Sequence, residues 1–151
     1  MKEFSSIHDI LEFAIRSEQA AVEFYTQLAT QARNGDMKAV FEQFAREEMG
    51  HKARLLSIRE SGFPGLGQEK VADLKIADYT VAAEVSPGMS YSDALVVAMK
   101  REKSAFRLYM DLSERAGDQE MKEAFLSLAM EESKHKLRFE LEYDEFVLRE
   151  N

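Results

Sequence analysis

The sequence contains no cysteine, and only two of its 151 residues are proline. The lack of cysteine excludes disulfides, thiolate metal sites and redox-active thiols. No apolar run approaches the ~20 residues that a membrane-spanning helix needs. The first residues, MKEFSSIHDILEF, lack the continuous apolar stretch of a secretory signal. We therefore expect a cytoplasmic protein that does not enter a membrane.

Basic residues are too few to balance the acidic ones. The chain has 20 lysines and arginines against 28 aspartates and glutamates, and its formal net charge is -8. It has no basic tract, so nucleic acid is not an expected partner. Hydrophobic residues make up 45% and charged residues 32% of the chain, which is typical of a globular protein. At this length we expect one domain over residues 1–151.

Proline-free segments rich in Ala, Leu, Glu, Met and Lys predict four long helices. The short breaks RNGD and AGDQ predict that helices 1 and 2, and helices 3 and 4, form antiparallel hairpins. Both prolines lie in the segment 62–89, which must cross between the hairpins, and its middle, VADLKIADYTV, is apolar enough to pack along them. This pattern predicts an all-α, ferritin-like four-helix bundle with one long crossover. The predicted helices are about 6–33, 36–61, 90–116 and 119–149.

The two hairpins are similar in sequence. Ser6 and Ser90 each precede an aspartate by three residues, as N-caps do, and they lie 84 positions apart. Residues 6–55 aligned with 90–139 at this offset, without gaps, give 18 identities in 50 positions, whereas composition alone predicts roughly three. A duplicated helical hairpin explains the excess. The repeat halves are 6–61 and 90–145.

Two stretches, AREEMGHK at 45–52 and AMEESKHK at 129–136, share a Glu-x-x-His pattern. Residues three apart on a helix lie about 60° apart around its axis, so the glutamate and the histidine share one face. In both stretches that face also carries the apolar core residues. One glutamate on each of the other two helices lies on an apolar face in the same way. The residues predicted to point inward are Glu18, Glu48, His51, Glu102, Glu132 and His135.

Six polar groups in an apolar interior need partners, because a buried charge without one is very costly. No lysine or arginine lies on the same stripes in a position to pair with all four carboxylates. Two metal cations would do so, and carboxylate with imidazole suits iron or manganese, and also zinc. One Glu-x-x-His motif is weak evidence, but two motifs and two glutamates in one register predict a symmetric two-metal site between the duplicated hairpins.

Four further residues are identical between the halves and lie near the predicted site. Tyr25 and Tyr109 have two interpretations: simple core aromatics, or phenols that donate hydrogen bonds to carboxylates of the site. Glu47 and Glu131 lie 100° away from the inward glutamates. For these two we expect an exposed or interfacial position rather than metal ligation.

At these residues the sequence resembles the rubrerythrin family of the ferritin-like superfamily. The resemblance rests on one glutamate in RSEQAAVEFY and one in KREKSAFRLY, followed by Glu-x-x-His in REEMGHK and MEESKHK. It covers essentially the whole chain and implies a centre of two iron ions. It assigns bridging ligation to Glu48 and Glu132, terminal ligation to Glu18 and Glu102, and nitrogen ligation to His51 and His135.

The resemblance also implies an activity, the reduction of hydrogen peroxide at the di-iron centre. Full-length rubrerythrins carry a rubredoxin domain with four cysteines, which are absent here, so we expect electrons from a separate rubredoxin-like protein. Ala105 stands where the family has an extra carboxylate, which leaves oxygen open as the oxidant. The alternatives are a ferritin-like ferroxidase or iron-storage protein and a helical interaction protein with a vestigial site. A homodimer is expected for the enzyme, whereas storage normally needs a hollow shell.

Overall fold

The structure is a computed structural model, and it describes the chain except for residues 1–6, 62–73, 76–77, 82–87 and 151. The predicted N-cap Ser6 and both prolines of the crossover lie outside the described residues. Within the described residues the chain forms four long helices, as the sequence predicted. They are α1 (Ile7–Thr30), α2 (Gly35–Glu60), α3 (Tyr91–Arg115) and α4 (Gln119–Glu150).

The helix ends follow from local capping. The predicted cap Ser90 accepts a hydrogen bond from the backbone N–H of Asp93, 3.1 Å away. Asn34 caps α2 by accepting from the N–H of Met37 at 2.9 Å. α1 ends at Thr30 rather than at the predicted residue 33, and Asn34 has the extended backbone of an N-cap before α2.

The helices pair as predicted: α1 packs along α2 and α3 packs along α4, while α1 also contacts α3 across the bundle. Each pair is joined by a connection of only a few residues, so its two helices are antiparallel. The predicted all-α bundle of two hairpins is therefore confirmed. In the part of the chain that the structure describes, no helix is long and apolar enough to cross a membrane.

The core consists of two apolar clusters, one toward each end of the bundle. Both clusters draw residues from all four helices, so each ties the two hairpins together. The first cluster includes Ile10, Leu11, Leu55, Leu112 and Phe125. The second cluster includes Phe24, Leu28, Phe41, Leu95 and Phe139.

Two described residues of the crossover, Leu74 and Tyr79, are buried in the first cluster. The Tyr79 hydroxyl donates to Oδ2 of Asp111 at 2.6 Å, and the Ser104 hydroxyl donates to the Tyr79 carbonyl. At these two residues the predicted packing of the crossover along the bundle is confirmed. The crossover is therefore fastened to α3.

A buried ion pair near the end of α4 was not predicted from the sequence. Glu142 is fully buried and accepts two hydrogen bonds from the Arg33 guanidinium, at 2.8 and 3.0 Å. The Tyr91 hydroxyl donates to the same carboxylate at 2.8 Å. Burial opposes the charged form of Glu142, but Arg33 and Tyr91 outweigh it and lower the pKa of the carboxyl. The repeat position of Glu142 is Ile58, so the duplication gives no sign of this network.

We predict that Glu142→Ala lowers the free energy of unfolding by about 1–3 kcal/mol, because it leaves the half-buried Tyr91 hydroxyl and the Arg33 guanidinium without their acceptor. Glu145→Ala is the matched control, since Glu145 lies on the same helix, 3.6 Å from Arg33, but is half exposed. The control should change stability by no more than about 0.5 kcal/mol. Urea unfolding followed by circular dichroism measures the stability of both variants. Equal losses of stability in the two variants would contradict the prediction.

Candidate metal centre

A layer of polar side chains separates the two apolar clusters. It consists of the six residues predicted to point inward, and none of them is more than 2% exposed. Each helix contributes to the layer because each places a glutamate between residues of the first cluster and residues of the second. The members are Glu18 from α1, Glu48 and His51 from α2, Glu102 from α3, and Glu132 and His135 from α4.

The polar layer contains two groups of four residues. Each residue of a group offers one ligand atom, and the four ligand atoms all lie within 4.8 Å of one another. This spacing suits a single metal ion. The groups share Glu48 and Glu132, which places these two carboxylates between the two positions. The first group is Glu18, Glu48, His51 and Glu132; the second is Glu48, Glu102, Glu132 and His135.

Each histidine directs Nδ1 at carboxylates of the layer. The Nδ1 atom of His51 lies 2.9 Å from Oε1 of Glu132 and 3.2 Å from Oε2 of Glu18. The Nδ1 atom of His135 lies 2.9 Å from Oε1 of Glu48. Despite these short distances, neither Nδ1 has a partner in hydrogen-bond geometry. Atoms that ligate one ion at about 2.0–2.2 Å lie roughly 3 Å apart, so these separations, without hydrogen-bond geometry at either Nδ1, fit a shared metal.

The unpartnered atoms of the polar layer give an independent test of whether metal ions fit there. Eight buried side-chain nitrogen and oxygen atoms among the described residues lack a hydrogen-bond partner, and seven of them belong to the polar layer. A buried polar atom without a partner costs about 1–3 kcal/mol, and more when charged. Carboxylate oxygens and imidazole nitrogens are the donors that iron, manganese and zinc accept. The six residues therefore fit two bound metal ions.

Without metal, the layer retains protons. Burial raises the pKa of Glu48 and of Glu132 well above the usual range, and the neighbouring carboxylates raise both further. For His135, burial opposes the charged form, but the carboxylates of Glu102 and Glu48 outweigh it and raise the pKa to about 10. The pKa of His51 is raised in the same way by Glu18 and Glu131. Like charges crowded in a dry layer thus make protons or metal ions necessary.

Glu47 and Glu131 act on the histidines of the opposite hairpin. Oε1 of Glu131 lies 3.2 Å from Nε2 of His51, and Oε1 of Glu47 lies 3.2 Å from Nε2 of His135. A proton on Nε2 that is donated to the carboxylate leaves the Nδ1 lone pair free for a metal, which is the usual role of such a partner. Arg54 in turn holds Glu131 through its guanidinium, at 2.9 and 3.1 Å.

The sequence placed these two glutamates at an exposed or interfacial position, and the structure places them half-buried between α2 and α4. Their contact with the histidines was missed because a helical wheel shows faces of one helix and no partner across the bundle. The sequence did contain a sign of this role: Glu47 and Glu131 occupy equivalent positions in the two repeats, and both are glutamate.

Both interpretations of the two tyrosines hold in the structure. Tyr25 and Tyr109 are fully buried among core residues. The Tyr25 hydroxyl donates to Oε1 of Glu102, and the Tyr109 hydroxyl donates to Oε1 of Glu18 at 2.9 Å. Burial and then the carboxylates raise the pKa of each phenol well above its usual range, so both stay protonated donors. Each tyrosine therefore orients a carboxylate that belongs to the other hairpin.

We predict that the metal-free protein loses stability as the pH rises from about 5 to 9. The folded-state pKa values of Glu48, Glu132 and His135 are all raised, so the folded protein binds more protons than the unfolded chain across this range. Bound metal replaces those protons and adds stability by mass action. Melting temperatures of metal-free and metal-loaded protein across this range test the prediction. A metal-free protein that becomes more stable with rising pH would contradict it.

We also predict that Glu131→Ala weakens metal binding, because His51 loses the acceptor that fixes its ring. The expected loss is about 10- to 100-fold in affinity for one of two metals. Glu140→Ala is the matched control, since Glu140 lies on the same helix and pairs on the surface with Lys136 at 3.2 Å. Competition with a chromophoric chelator measures both variants. Equal affinities for the two variants would show that Glu131 has no such role.

Comparisons with known proteins identify the family and the fold of the chain. The rubrerythrin family model matches residues 9–143. A candidate ferritin-like diiron-carboxylate protein from Thermotoga maritima superposes with a TM-score of 0.79 at 20% identity, covering 96% of this chain and 99% of that one. A hypothetical protein from Pyrococcus furiosus superposes with a TM-score of 0.72 at 29% identity, covering 93% and 89%. No protein of curated function matches. The predicted resemblance is confirmed, and the chain belongs to the rubrerythrin family.

Proposed function

We propose that this protein is a di-iron oxidoreductase that reduces hydrogen peroxide with electrons from a separate carrier protein. The observation that carries the proposal is the pair of four-residue groups that share Glu48 and Glu132 in a buried layer. Two adjacent positions joined by carboxylates suit two metal ions that act together. Iron is the proposed metal; manganese and zinc are accepted by the same donors, and metal analysis distinguishes them.

The proposed ligands divide by their position in the layer. Glu48 and Glu132 belong to both groups and are the proposed bridges. Each remaining glutamate and histidine belongs to one group, which makes these residues terminal ligands. The terminal ligands are Glu18 and His51 for one metal, and Glu102 and His135 for the other.

When bound and reduced, the two iron ions would supply the two electrons needed to convert one hydrogen peroxide and two protons into two waters. The residues of the chain orient and enclose the reaction. Tyr25 and Tyr109 hold the terminal carboxylates by hydrogen bonds, and Glu47 and Glu131 hold the histidine rings. The apolar clusters on either side of the layer exclude bulk water, which strengthens every electrostatic interaction inside it.

A separate donor is part of the proposal because the sequence contains no cysteine for a second iron site of the rubredoxin type. The net charge of -8 favours a carrier with a basic patch, since complementary charges speed encounter. We propose a small rubredoxin-like protein in the cytoplasm as this partner.

The proposed assembly is a homodimer. α4 exposes an apolar stripe whose side chains lie within about 60° of one another around the helix axis. Exposed apolar stripes of this kind mark association surfaces, and a dimer fits an enzyme, whereas iron storage needs a large shell. Light scattering gives the assembled mass and separates the two functions. The stripe consists of Leu126, Met130, Leu137, Leu141 and Leu148.

We predict that protein loaded with iron under anaerobic conditions binds two ions per chain, and that His51→Ala loses or sharply weakens one of them. His8→Ala is the matched control, because His8 is 61% exposed and lies outside the layer. When the reduced protein is mixed with hydrogen peroxide in a stopped-flow instrument, it should consume about one peroxide per iron pair and then stop. Added reduced rubredoxin should restore turnover.

Three results would contradict the proposal in different ways. Less than one metal per chain in the intact protein would contradict the metal centre itself. Reaction with oxygen but not with peroxide would replace the peroxidase function with a ferroxidase or oxidase function. No reaction with either oxidant would assign the metals a structural role.

A further inference from the structure

A cavity of about 170 Å³ adjoins the polar layer between α1 and α3. It is far larger than the ~10–15 Å³ that a single water needs. Its lining includes all four glutamates of the layer and both tyrosines, but neither histidine. The carboxylate side of the centre therefore faces a space that can hold a small molecule beside the metal positions.

The outer wall of the cavity comes from the crossover. Tyr79, Thr80 and Val81 line it, and Tyr79 is fastened to α3 through its hydrogen bonds with Ser104 and Asp111. Thr80 is exposed and Val81 is half-buried, so the cavity borders solvent on this side.

Arg101 is the cationic side chain of the cavity lining. It reaches from α3 toward α1, and its guanidinium carbon lies 5.3 Å from the centre of the Phe24 ring, within cation–π range. Its Nε atom is buried without a hydrogen-bond partner and is the one such atom among the described residues outside the polar layer. A buried, unpartnered donor is costly, and an acceptor bound in the cavity would satisfy it.

Comparison of the two repeats shows that this cationic side chain is present in one hairpin only. The repeat position of Arg101 is Ser17, which lines the same cavity from α1. Ala21 and Ala105 also occupy equivalent positions on the lining, and their short side chains leave the space open. The described lining of the cavity thus has two equivalent alanines, one from each hairpin, and one positive charge, on Arg101.

We propose that Arg101 is a specificity-determining residue of this cavity: it donates a hydrogen bond to a small monoanion of two or three heavy atoms that binds beside the metal positions. The inference rests on the proposed metal centre. Four carboxylates balance two divalent cations, so the guanidinium adds a positive charge that a monoanion would complement. The anion of hydrogen peroxide is a member of this class, and azide is a suitable probe of the same charge and length.

Azide titration of the Co²⁺-loaded protein tests the proposal without any redox reaction, since the visible absorption of Co²⁺ reports ligand binding. Arg101→Gln should raise the Kd for azide about tenfold or more, as the loss of one charge-assisted hydrogen bond predicts. Lys100→Gln removes the same charge from an exposed neighbouring position and should change the Kd less than about twofold. Cobalt stoichiometry checks that each variant retains the centre.

Ala105→Val provides a second test that does not depend on the charge, because it adds bulk to the lining. It should weaken azide binding at least as much as Arg101→Gln while two Co²⁺ ions per chain remain bound. Equal azide affinity in Arg101→Gln and Lys100→Gln would overturn the role of Arg101, and unchanged affinity in Ala105→Val would overturn the cavity as the site. Failure of the intact protein to bind Co²⁺ would instead contradict the metal centre on which the inference rests.

Discussion

The placement of four carboxylates in a layer between two apolar clusters is the constraint on which the rest of the structure depends. In such a layer each carboxylate loses its hydration and gains the repulsion of the others, so the raised pKa values of Glu48 and Glu132 are a direct consequence. The fold tolerates this only because protons or metal ions supply the missing positive charge. The apolar clusters and the polar layer are therefore complementary: the clusters provide the stability that keeps the carboxylates together.

The contacts that complete the layer run between the two hairpins. Neither hairpin alone satisfies its own ligands, because each terminal glutamate and each histidine is held by a residue from the other hairpin. Assembly of the candidate site therefore requires association of the hairpins, and metal binding there would be coupled to folding. The contacts are Tyr25 with Glu102, Tyr109 with Glu18, Glu131 with His51, and Glu47 with His135.

Helical periodicity and internal duplication were enough to predict the four helices and the inward position of the six polar residues, because both depend on spacing along one chain. Contacts across the bundle do not follow from spacing. Glu131 was placed at an exposed or interfacial position without its partner His51, and the Arg33–Glu142 pair was not predicted at all. The cavity beside Arg101 is harder still to predict, because α1, α3 and the crossover form it together.

Duplication explains the symmetry of the centre, and the differences between the halves show where that symmetry is not needed. The two Glu-x-x-His motifs, the two tyrosines and the two outer glutamates keep one register. Around these residues the repeats differ: the position equivalent to Arg101 is Ser17, and the position equivalent to Glu142 is Ile58. The described cavity borders the polar layer between α1 and α3, and Arg101 and Ser17 line it from equivalent positions. The surround of the candidate centre is therefore asymmetric, although its six polar residues are symmetric.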